Sequence, residues 1–235
     1  MTVGIMGALD VEIAALLEQM PGAHQERHSA FTYHQGKLKG RPVALVRSGV
    51  GKVAAAACAQ SLMDVFGATR VVFTGLAGAL DERLRVGDVV IATELVQHDV
   101  DVTAFGYAPG EVPCPGGLVV PTDPALTAMA RQAALQTLTI DSGRLREGRI
   151  LTGDQFVVSR EKVFRLREEF QGLAVEMEGA AVAQVCAWRG VPCAVIRAIS
   201  DTADGQAPVD FRQFQAEVAR ISAGIVLEML KLLPL

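Results

Sequence analysis

The chain has little that would place it in a membrane or outside the cell. Its 235 residues contain no run of about 18 uncharged apolar residues, the length that a membrane span needs. The opening segment, Met-Thr-Val-Gly-Ile-Met-Gly, has no basic stretch and leads straight into a strand-like run, which is unlike a signal peptide. We therefore expect a soluble protein of the cytoplasm.

The features of metal, disulfide and nucleic-acid-binding proteins are scarce as well. The four cysteines (Cys58, Cys114, Cys186 and Cys193) include no C-x-x-C pair, so we interpret them as reduced thiols, mostly in the core. The four histidines form no H-x-x-x-H pair on a predicted helix, which disfavours a catalytic zinc. The net charge is −4 and the basic residues are scattered, without the basic stripe that a polyanion requires. The sequence thus predicts no metal, no cofactor and no nucleic-acid partner.

What the chain does have is a regular alternation of strands and helices. The apolar runs predict strands at 3–8, 31–36, 43–48, 70–74, 86–97, 149–157 and 192–200. Helical spacing of apolar residues predicts helices at 10–20, 52–66, 124–138, 159–170, 178–188 and 211–233. Such unbroken apolar strands favour a mostly parallel sheet with both faces covered. We predict an α/β fold in a single domain, residues 1–235, with three layers (α/β/α) around a central mixed, mostly parallel sheet.

Three segments interrupt this pattern. The strand at 70–74 is predicted to break at Gly75-Leu76-Ala77-Gly78, and residues 201–210 are predicted to form a turn-rich loop. Residues 99–120 form a long loop rich in Gly and Pro that carries Phe105 and Tyr107. A loop of this length is either disordered or functional.

Two glycine motifs do not fit nucleotide-binding patterns. Ser48-Gly49-Val50-Gly51-Lys52 resembles the end of a P-loop, but Val46 replaces the first glycine and Val53 replaces the Ser or Thr that would hold magnesium. Thr74 to Gly78 follows a strand but lacks G-x-G-x-x-G. We interpret both as tight turns, whose small residues let a ligand approach the backbone.

The acidic residues near strand ends are more informative. Glu12 lies just past the first predicted strand, Asp201 follows the last one, and Glu176 and Glu178 lie in the segment Ala174–Gly179. We expect all four at the carboxyl ends of strands, where ligands of open α/β sheets bind. Each has a structural alternative, since Glu12 and Glu178 could favour a helix N-terminus by about 0.3–1 kcal/mol and Asp201 could cap a turn. Together they predict acid/base chemistry on a polyhydroxylated substrate. The buried-looking Arg197 either pairs with one of these acids or positions a carboxylate or a water molecule.

At this point the sequence resembles the nucleoside phosphorylase/nucleosidase superfamily, and within it the bacterial 5′-methylthioadenosine/S-adenosylhomocysteine nucleosidases. The matching blocks follow the family order over nearly the whole chain. They are Gly4–Ala8 with Glu12, Ser48–Val53, Thr74–Gly78, His98-Asp99, Asp101–Tyr107, Gly153–Phe156, Val175–Glu178 and Arg197–Asp201. The combination of Thr-Ala-Phe-Gly-Tyr, Glu-Met-Glu and the final Ser-Asp is the specific part.

The resemblance implies hydrolysis of the N-glycosidic bond between adenine and a 5′-thio-substituted ribose. Asp201 would protonate N7 of adenine, a role that requires its acid form to persist near neutral pH. Glu12 would be the general base that activates water against C1′. Glu178 would hold the ribose hydroxyls, and Met177 would pack on the sugar face.

Further residues acquire roles by the same resemblance. Phe156 would stack on adenine while the backbone of Val157 reads its edge, Ser200 would orient Asp201, and Arg197 would help place the water. The 5′-alkylthio group would be lined by Val50, Phe105, Tyr107 and Phe211. Other residues expected to line the substrate site are Leu9, Leu76, Ala77, Gly78 and Glu176. The loop with Phe105 and Tyr107 would reach into the neighbouring subunit of a homodimer.

The chain also departs from the family pattern. Many relatives have serine at the position of Leu76, where the hydroxyl would help hold the attacking water, and a leucine side chain cannot do so. Leu9 replaces a frequent methionine, and Val50 replaces isoleucine.

Three other functions stay open at this point. A phosphorylase of the same fold would need a cation beside the sugar, and relatives that use phosphate place arginine where this chain has Phe73. A nucleosidase for futalosine-type substrates would use the same acids. A nucleoside-binding protein would need neither a general acid nor a general base, so the combination of Glu12, Glu178 and Asp201 argues against it.

Overall fold

The structure, a computed structural model, describes residues 1–138, 144–202 and 207–234 of the chain. The strands within these ranges are β1 (Thr2–Gly7), β2 (His24–His28), β3 (Phe31–Leu38), β4 (Arg41–Arg47), β5 (Ala68–Ala79), β6 (Val89–Gln97), β7 (Val120–Pro121), β8 (Leu145–Thr152), β9 (Ala174–Glu176) and β10 (Cys193–Asp201). The α-helices are α1 (Asp10–Leu17), α2 (Lys52–Asp64), α3 (Pro124–Thr137), α4 (Arg160–Phe170), α5 (Gly179–Trp188) and α6 (Ala207–Leu232). Among the described residues no helix is long and apolar enough to cross a bilayer.

All ten strands belong to one mixed sheet with helices on both faces. Its parallel pairs are β4–β1, β1–β5, β5–β10, β6–β8 and β8–β9. Helices α2 and α5 cover one face of the sheet, and α1, α3 and α6 cover the other. The predicted α/β class with a mixed central sheet between helical layers is confirmed.

We placed the acidic residues by a rule for open sheets, but part of this sheet is closed. The order β10-β6-β8-β9-β5 closes on itself because β10 also pairs with β5. Strand β5 makes this possible, since it pairs with β1 up to Phe73 and with β9 at Gly78 and Ala79, while β10 follows its other edge. The carboxyl ends of β1, β5 and β10 therefore face one enclosed region.

Several predicted boundaries were wrong. Strand β5 continues through Gly75–Gly78 instead of breaking there, because these residues pair with β10 from Arg197 onward. The strand predicted at 149–157 ends at Thr152, after which the N–H of Gly153 bonds the carbonyl of Glu176. Helix α1 ends at Leu17, three residues before its predicted end.

Three strands, β2, β7 and β9, carry no sequence signal that we recognised, and β7 has only two residues. Strand β2 has the sequence His-Gln-Glu-Arg-His and is exposed, so it lacks an apolar alternation. Strand β9 has only three residues. The predicted hairpin around residues 37–42 is confirmed as the antiparallel pair β3–β4.

The predicted loop at 99–120 is largely confirmed, whereas the predicted loop at 201–210 is too long. Most of residues 99–120 is irregular, with one short 3-10 turn at Thr103–Phe105 and strand β7 at its end. The predicted loop at 201–210 is shorter than expected, since α6 begins at Ala207, and residues 203–206 of it lie outside the described residues.

Candidate active site

A cavity of about 400 Å³ lies where the carboxyl ends of β1, β5 and β10 meet the start of α5. Its lining consists of Ala8, Leu9, Glu12, Val50, Leu76, Ala77, Gly78, Gln155, Phe156, Val157, Val175, Glu176, Met177, Glu178, Ser200, Asp201 and Phe211. The structure thus brings together every predicted site residue except Arg197, Phe105 and Tyr107. All charged side chains in this lining are acidic.

Glu12 lies in the first turn of α1 and is buried against the ends of β1 and β5. Its Oε2 accepts the backbone N–H groups of Ala8 (2.5 Å) and Leu9 (2.9 Å), and its Oε1 accepts that of Leu76 (2.8 Å). Burial raises the pKa of Glu12 above its ordinary value of 4.5, although the charge of Arg197 and the three N–H groups oppose the shift. The carboxylate is therefore held rigidly and has an increased affinity for a proton, both useful in a general base.

Gly75 is the residue that lets Glu12 and Arg197 approach each other. A Cβ at this position would overlap Oε1 of Glu12 and would lie 2.8 Å from Nη1 of Arg197. Glycine is required here because two charged side chains pack closely against the strand. The predicted tight turn at Gly75 is not present.

Glu178 occupies the N-cap position of α5 but does not cap the helix with its side chain. Its Oε1 instead accepts the backbone N–H of Gly51, at 2.8 Å, across the cavity wall. Burial raises the pKa of Glu178 to about 8, and the neighbouring charge of Glu176 adds to the shift. This carboxyl group is free to meet a ligand through its second oxygen, as a sugar-binding role requires.

Glu176 does the capping that the sequence suggested for Glu178. It accepts the N–H groups of Glu178 (3.1 Å) and Gly179 (2.8 Å) and the hydroxyl of Thr152. It also pairs with Nη2 of Arg197 at 2.5 Å. Although Glu176 lines the cavity, protein donors occupy both of its oxygens, so its assignment to substrate binding stays a prediction with little geometric support.

Arg197 lies behind the cavity wall with only 1% of its surface exposed. Its guanidinium carbon is 4.0 Å from the centre of the Phe73 ring, a cation–π contact. Burial alone would lower the pKa of Arg197, but the charges of Glu176, Glu12 and Glu178 outweigh it, and the pKa is raised. Pairing with an acid, one of the two predicted roles, is thus confirmed, and its Nε and Nη1 have no hydrogen-bond partner among the described residues.

Asp201 and Ser200 end strand β10 and are both buried. The Ser200 hydroxyl lies 2.8 Å from Oδ2 of Asp201 and 3.3 Å from the carbonyl oxygen of Ala77. The pairing of Asp201 with Gly78 in β5 holds the end of the strand against the cavity. The serine is therefore placed to orient the aspartate, as expected.

Aromatic residues form the rim of the cavity. Phe156 is 49% exposed and meets Phe211 edge to face, with ring centres 5.8 Å apart. Phe156 is therefore a rim residue and not part of the hydrophobic core. Phe105 and Tyr107 lie on the long loop, exposed and outside this cavity, with Phe105 82% exposed.

Three lining residues were missed. Gln155 precedes Phe156 in the matching block Gly153–Phe156, so the predicted role of Phe156 could have indicated that Gln155 also lines the site. Ala8 directly follows strand β1, where a small residue lets a ligand approach the backbone. Val175 lies in β9, which was not predicted as a strand, so nothing indicated the direction of its side chain.

Comparison with known proteins gives consistent similarities. The profile of the phosphorylase superfamily matches residues 2–231. A 5′-methylthioadenosine/S-adenosylhomocysteine nucleosidase of Colwellia psychrerythraea is 41% identical over 234 residues, which cover 98% of this chain and 96% of the relative. An aminodeoxyfutalosine nucleosidase of Campylobacter jejuni is 41% identical over 229 residues, 97% of this chain and 98% of the relative.

A solved structure agrees with these sequences. The 5′-methylthioadenosine/S-adenosylhomocysteine nucleosidase from Neisseria meningitidis, in complex with methylthio-immucillin-A, has a TM-score of 0.93 and 42% identity, covering 99% of each chain. These similarities confirm the resemblance that the motifs predicted.

Proposed function

Because the chain belongs to the phosphorylase superfamily, we propose that it hydrolyses the N-glycosidic bond of 5′-methylthioadenosine and S-adenosylhomocysteine. The relatives confirm the prediction that it is an enzyme of the N-glycosyl hydrolase kind. The observation that carries the proposal is the convergence of Glu12, Glu178 and Asp201 on one cavity with an aromatic rim.

Departure of adenine is assigned to Asp201. Protonation of N7 by its carboxyl group makes the base a neutral leaving group as the bond between N9 and C1′ breaks. Ser200, 2.8 Å away, fixes which way the carboxyl group points. The aromatic ring of Phe156 and the backbone of Val157, both in the lining, suit the flat base beside it.

Attack of water is assigned to Glu12. As an oxocarbenium-like centre forms at C1′, Glu12 accepts a proton from the water whose oxygen bonds C1′. The products are adenine and the 5′-thio-substituted ribose with a hydroxyl at C1′. Leu76 has no side-chain hydroxyl to hold this water, and its backbone N–H donates to Oε1 of Glu12, so the water is held by Glu12 itself.

The ribose is assigned to Glu178 and Met177. Glu178 accepts hydrogen bonds from the ribose hydroxyls through its second oxygen, while Gly51 holds the first. Met177 is half-buried in the cavity wall and suits the apolar face of the sugar. Leu9, Val50 and Phe211 line the part assigned to the 5′ substituent.

Water is favoured over phosphate as the acceptor by the charge of the cavity. In the described part of the chain its charged lining is entirely acidic, and the nearby cation, Arg197, is engaged by Glu176 and Phe73. Phosphate would meet several carboxylates without a free cation. Phe73 is fully buried under Arg197, where a phosphorylase would need an arginine.

A second candidate function has a specific observation in its favour. The aminodeoxyfutalosine nucleosidase of Campylobacter jejuni is as similar to this chain as the Colwellia enzyme. A futalosine-type nucleoside has a different 5′ substituent on its ribose, but the bond that is cleaved still joins a base to C1′. The same three acids could therefore catalyse its hydrolysis. The residues around the 5′ group therefore decide between the two.

The proposal includes a homodimer in the cytoplasm. The exposed Phe105 and Tyr107 would cover the neighbouring subunit's 5′ pocket, which explains why a long loop carries aromatic residues into solvent. Both the dimer and the location are expectations that follow from the resemblance.

Product analysis tests the proposed reaction. The protein is incubated with 5′-methylthioadenosine in the presence and absence of inorganic phosphate, and the same assay is run with S-adenosylhomocysteine and aminodeoxyfutalosine. We expect adenine and free methylthioribose at a rate indifferent to phosphate. A sugar 1-phosphate formed only with phosphate would contradict the proposal, and a much higher kcat/KM for aminodeoxyfutalosine would favour the second candidate. Asp64→Asn, which changes a surface carboxylate paired with Arg189, is the matched control for variants of the acids.

A further inference from the structure

A partly buried ion pair outside the cavity links the segments that follow β4, β6 and β8. Lys52, at the start of α2, pairs through Nζ with Oδ1 of Asp99 at 2.6 Å, and their side chains are only 17% and 14% exposed. Oδ2 of Asp99 accepts the backbone N–H of Asp154 at 2.9 Å. Asp99 follows strand β6 and Asp154 follows β8, so one carboxylate joins the loops after β4, β6 and β8.

The same network caps α2 from a distant part of the chain. The N-cap residue of α2 is Gly51, which has no side chain to cap the helix. Oδ1 of Asp154 takes over this role by accepting the N–H of Lys52 at 2.8 Å. The N–H of the preceding residue, Gly51, donates to Oε1 of Glu178. Two consecutive backbone donors are therefore held by two carboxylates, one structural and one in the cavity.

We propose that Asp99, Lys52 and Asp154 are positioning residues that set the hydrogen bond from Gly51 to Glu178 and, through it, the hold on the ribose. The inference rests on the proposed function, in which Glu178 binds the ribose hydroxyls. None of the three residues lines the cavity. They act by fixing the backbone at Gly51, whose position limits where the free oxygen of Glu178 can lie.

The network also joins the ribose subsite to the loop with Phe105 and Tyr107. That loop begins directly after Asp99, and its base is closed by a hydrogen bond from the N–H of Gly110 to the carbonyl of Val100 (2.9 Å). Asp99 therefore stands both at the base of this loop, which we assign to the neighbouring subunit's 5′ pocket, and in the network that holds Gly51.

Asp99 carries its negative charge around neutral pH. Burial alone would raise the pKa of Asp99, but the Lys52 ammonium and the N–H of Asp154 outweigh burial, and the pKa is held below its ordinary value. Replacing Asp99 by asparagine keeps the shape but leaves the mostly shielded Lys52 without its counter-charge, which disturbs the anchor without opening a cavity.

The test is Asp99→Asn, with Asp64→Asn as the matched control at a surface ion pair. Both are assayed with 5′-methylthioadenosine and with its 2′,3′-dideoxy analogue, which lacks the hydroxyls that Glu178 would bind. We expect Asp99→Asn to lower kcat/KM for the riboside by about 3- to 10-fold, the effect of a weakened hydrogen bond. The loss on the dideoxy analogue should be less than about 2-fold. Equal losses on both substrates, or none, would overturn the proposal, because a general structural defect does not distinguish them.

A double variant separates this inference from the function on which it rests. In a Glu178→Gln background, Asp99→Asn should cause no further loss on the riboside. If Glu178→Gln itself leaves the preference for the riboside over the dideoxy analogue unchanged, the ribose role of Glu178 has failed. If that preference falls but Asp99→Asn adds its full loss, the positioning role alone has failed. Where Asp99→Asn does not fold, Asp154→Asn takes its place with the same expectations, since it weakens the cap on α2.

Discussion

Replacing Glu178 by glutamine should make the protein less active and, above mildly acidic pH, more stable. The carboxyl group is buried beside Glu176, and its pKa is raised from 4.5 to about 8, first by burial and then by the charge of Glu176. The unfolded chain has no such environment and loses the proton near the ordinary value. The glutamine amide keeps an oxygen for the N–H of Gly51 and carries no charge to bury.

The direction of the effect follows from proton binding. Between pH 4.5 and about 8 the folded protein holds a proton on Glu178 that the unfolded chain has released. The free energy of unfolding therefore falls as pH rises through this interval. Since one pKa unit corresponds to about 1.4 kcal/mol, the full shift is worth on the order of a few kcal/mol. Glu178→Gln removes this dependence, so its advantage over the parent should be absent near pH 4.5 and greatest above about 8.

Urea denaturation of the unliganded parent and variant across this pH interval measures the difference. Glu26→Gln, at an exposed carboxylate of β2, is the matched control. At the same time kcat/KM for 5′-methylthioadenosine should fall by about 5- to 150-fold, the range for a lost hydrogen bond that leaves a buried polar partner unsatisfied. A stability difference that does not grow with pH would refute the reasoning about burial, whatever happens to activity.

Four further changes test other parts of the site. Asp201→Asn should lower kcat by about 10²- to 10⁴-fold while substrate binding stays measurable by calorimetry, and near-normal turnover would remove its role as the acid. Glu12→Gln should lower kcat by a similar factor and also lower the melting temperature, because an amide cannot accept all three backbone N–H groups now bound to the carboxylate. Gly75→Ala should reduce both activity and stability, as its Cβ overlaps Glu12, and unchanged denaturation and kinetics would contradict the packing described. Phe105→Ala should raise KM for 5′-methylthioadenosine without altering the melting temperature of the subunit, and an unchanged KM would place this ring outside the site.

The sequence by itself determined the chemical groups of the site and the elements that carry them. Glu12 and Asp201 could be recognised because each follows a predicted apolar strand, and the carboxyl ends of such strands meet at one edge of a sheet. These two inferences depend on local sequence alone, since the period of apolar residues reports which segments are buried strands. The roles of Glu178 and Phe156 came from the resemblance of their motifs to the nucleosidases.

Only the tertiary structure decided which acidic residue caps a helix and which is available to a ligand. Local sequence allowed Glu178 to favour the start of the helix, but the tertiary structure assigned the cap to Glu176. Pairing of β9 with β8 brings Thr152 to Glu176, and pairing of both β9 and β10 with β5 brings Arg197 to it. The network of Lys52, Asp99 and Asp154 joins residues about 50 positions apart or more along the chain, a separation that no periodicity reports. The continuation of β5 through Gly75 likewise follows from pairing with a strand more than 100 residues away, because a strand's extent depends on the partners that satisfy its backbone hydrogen bonds.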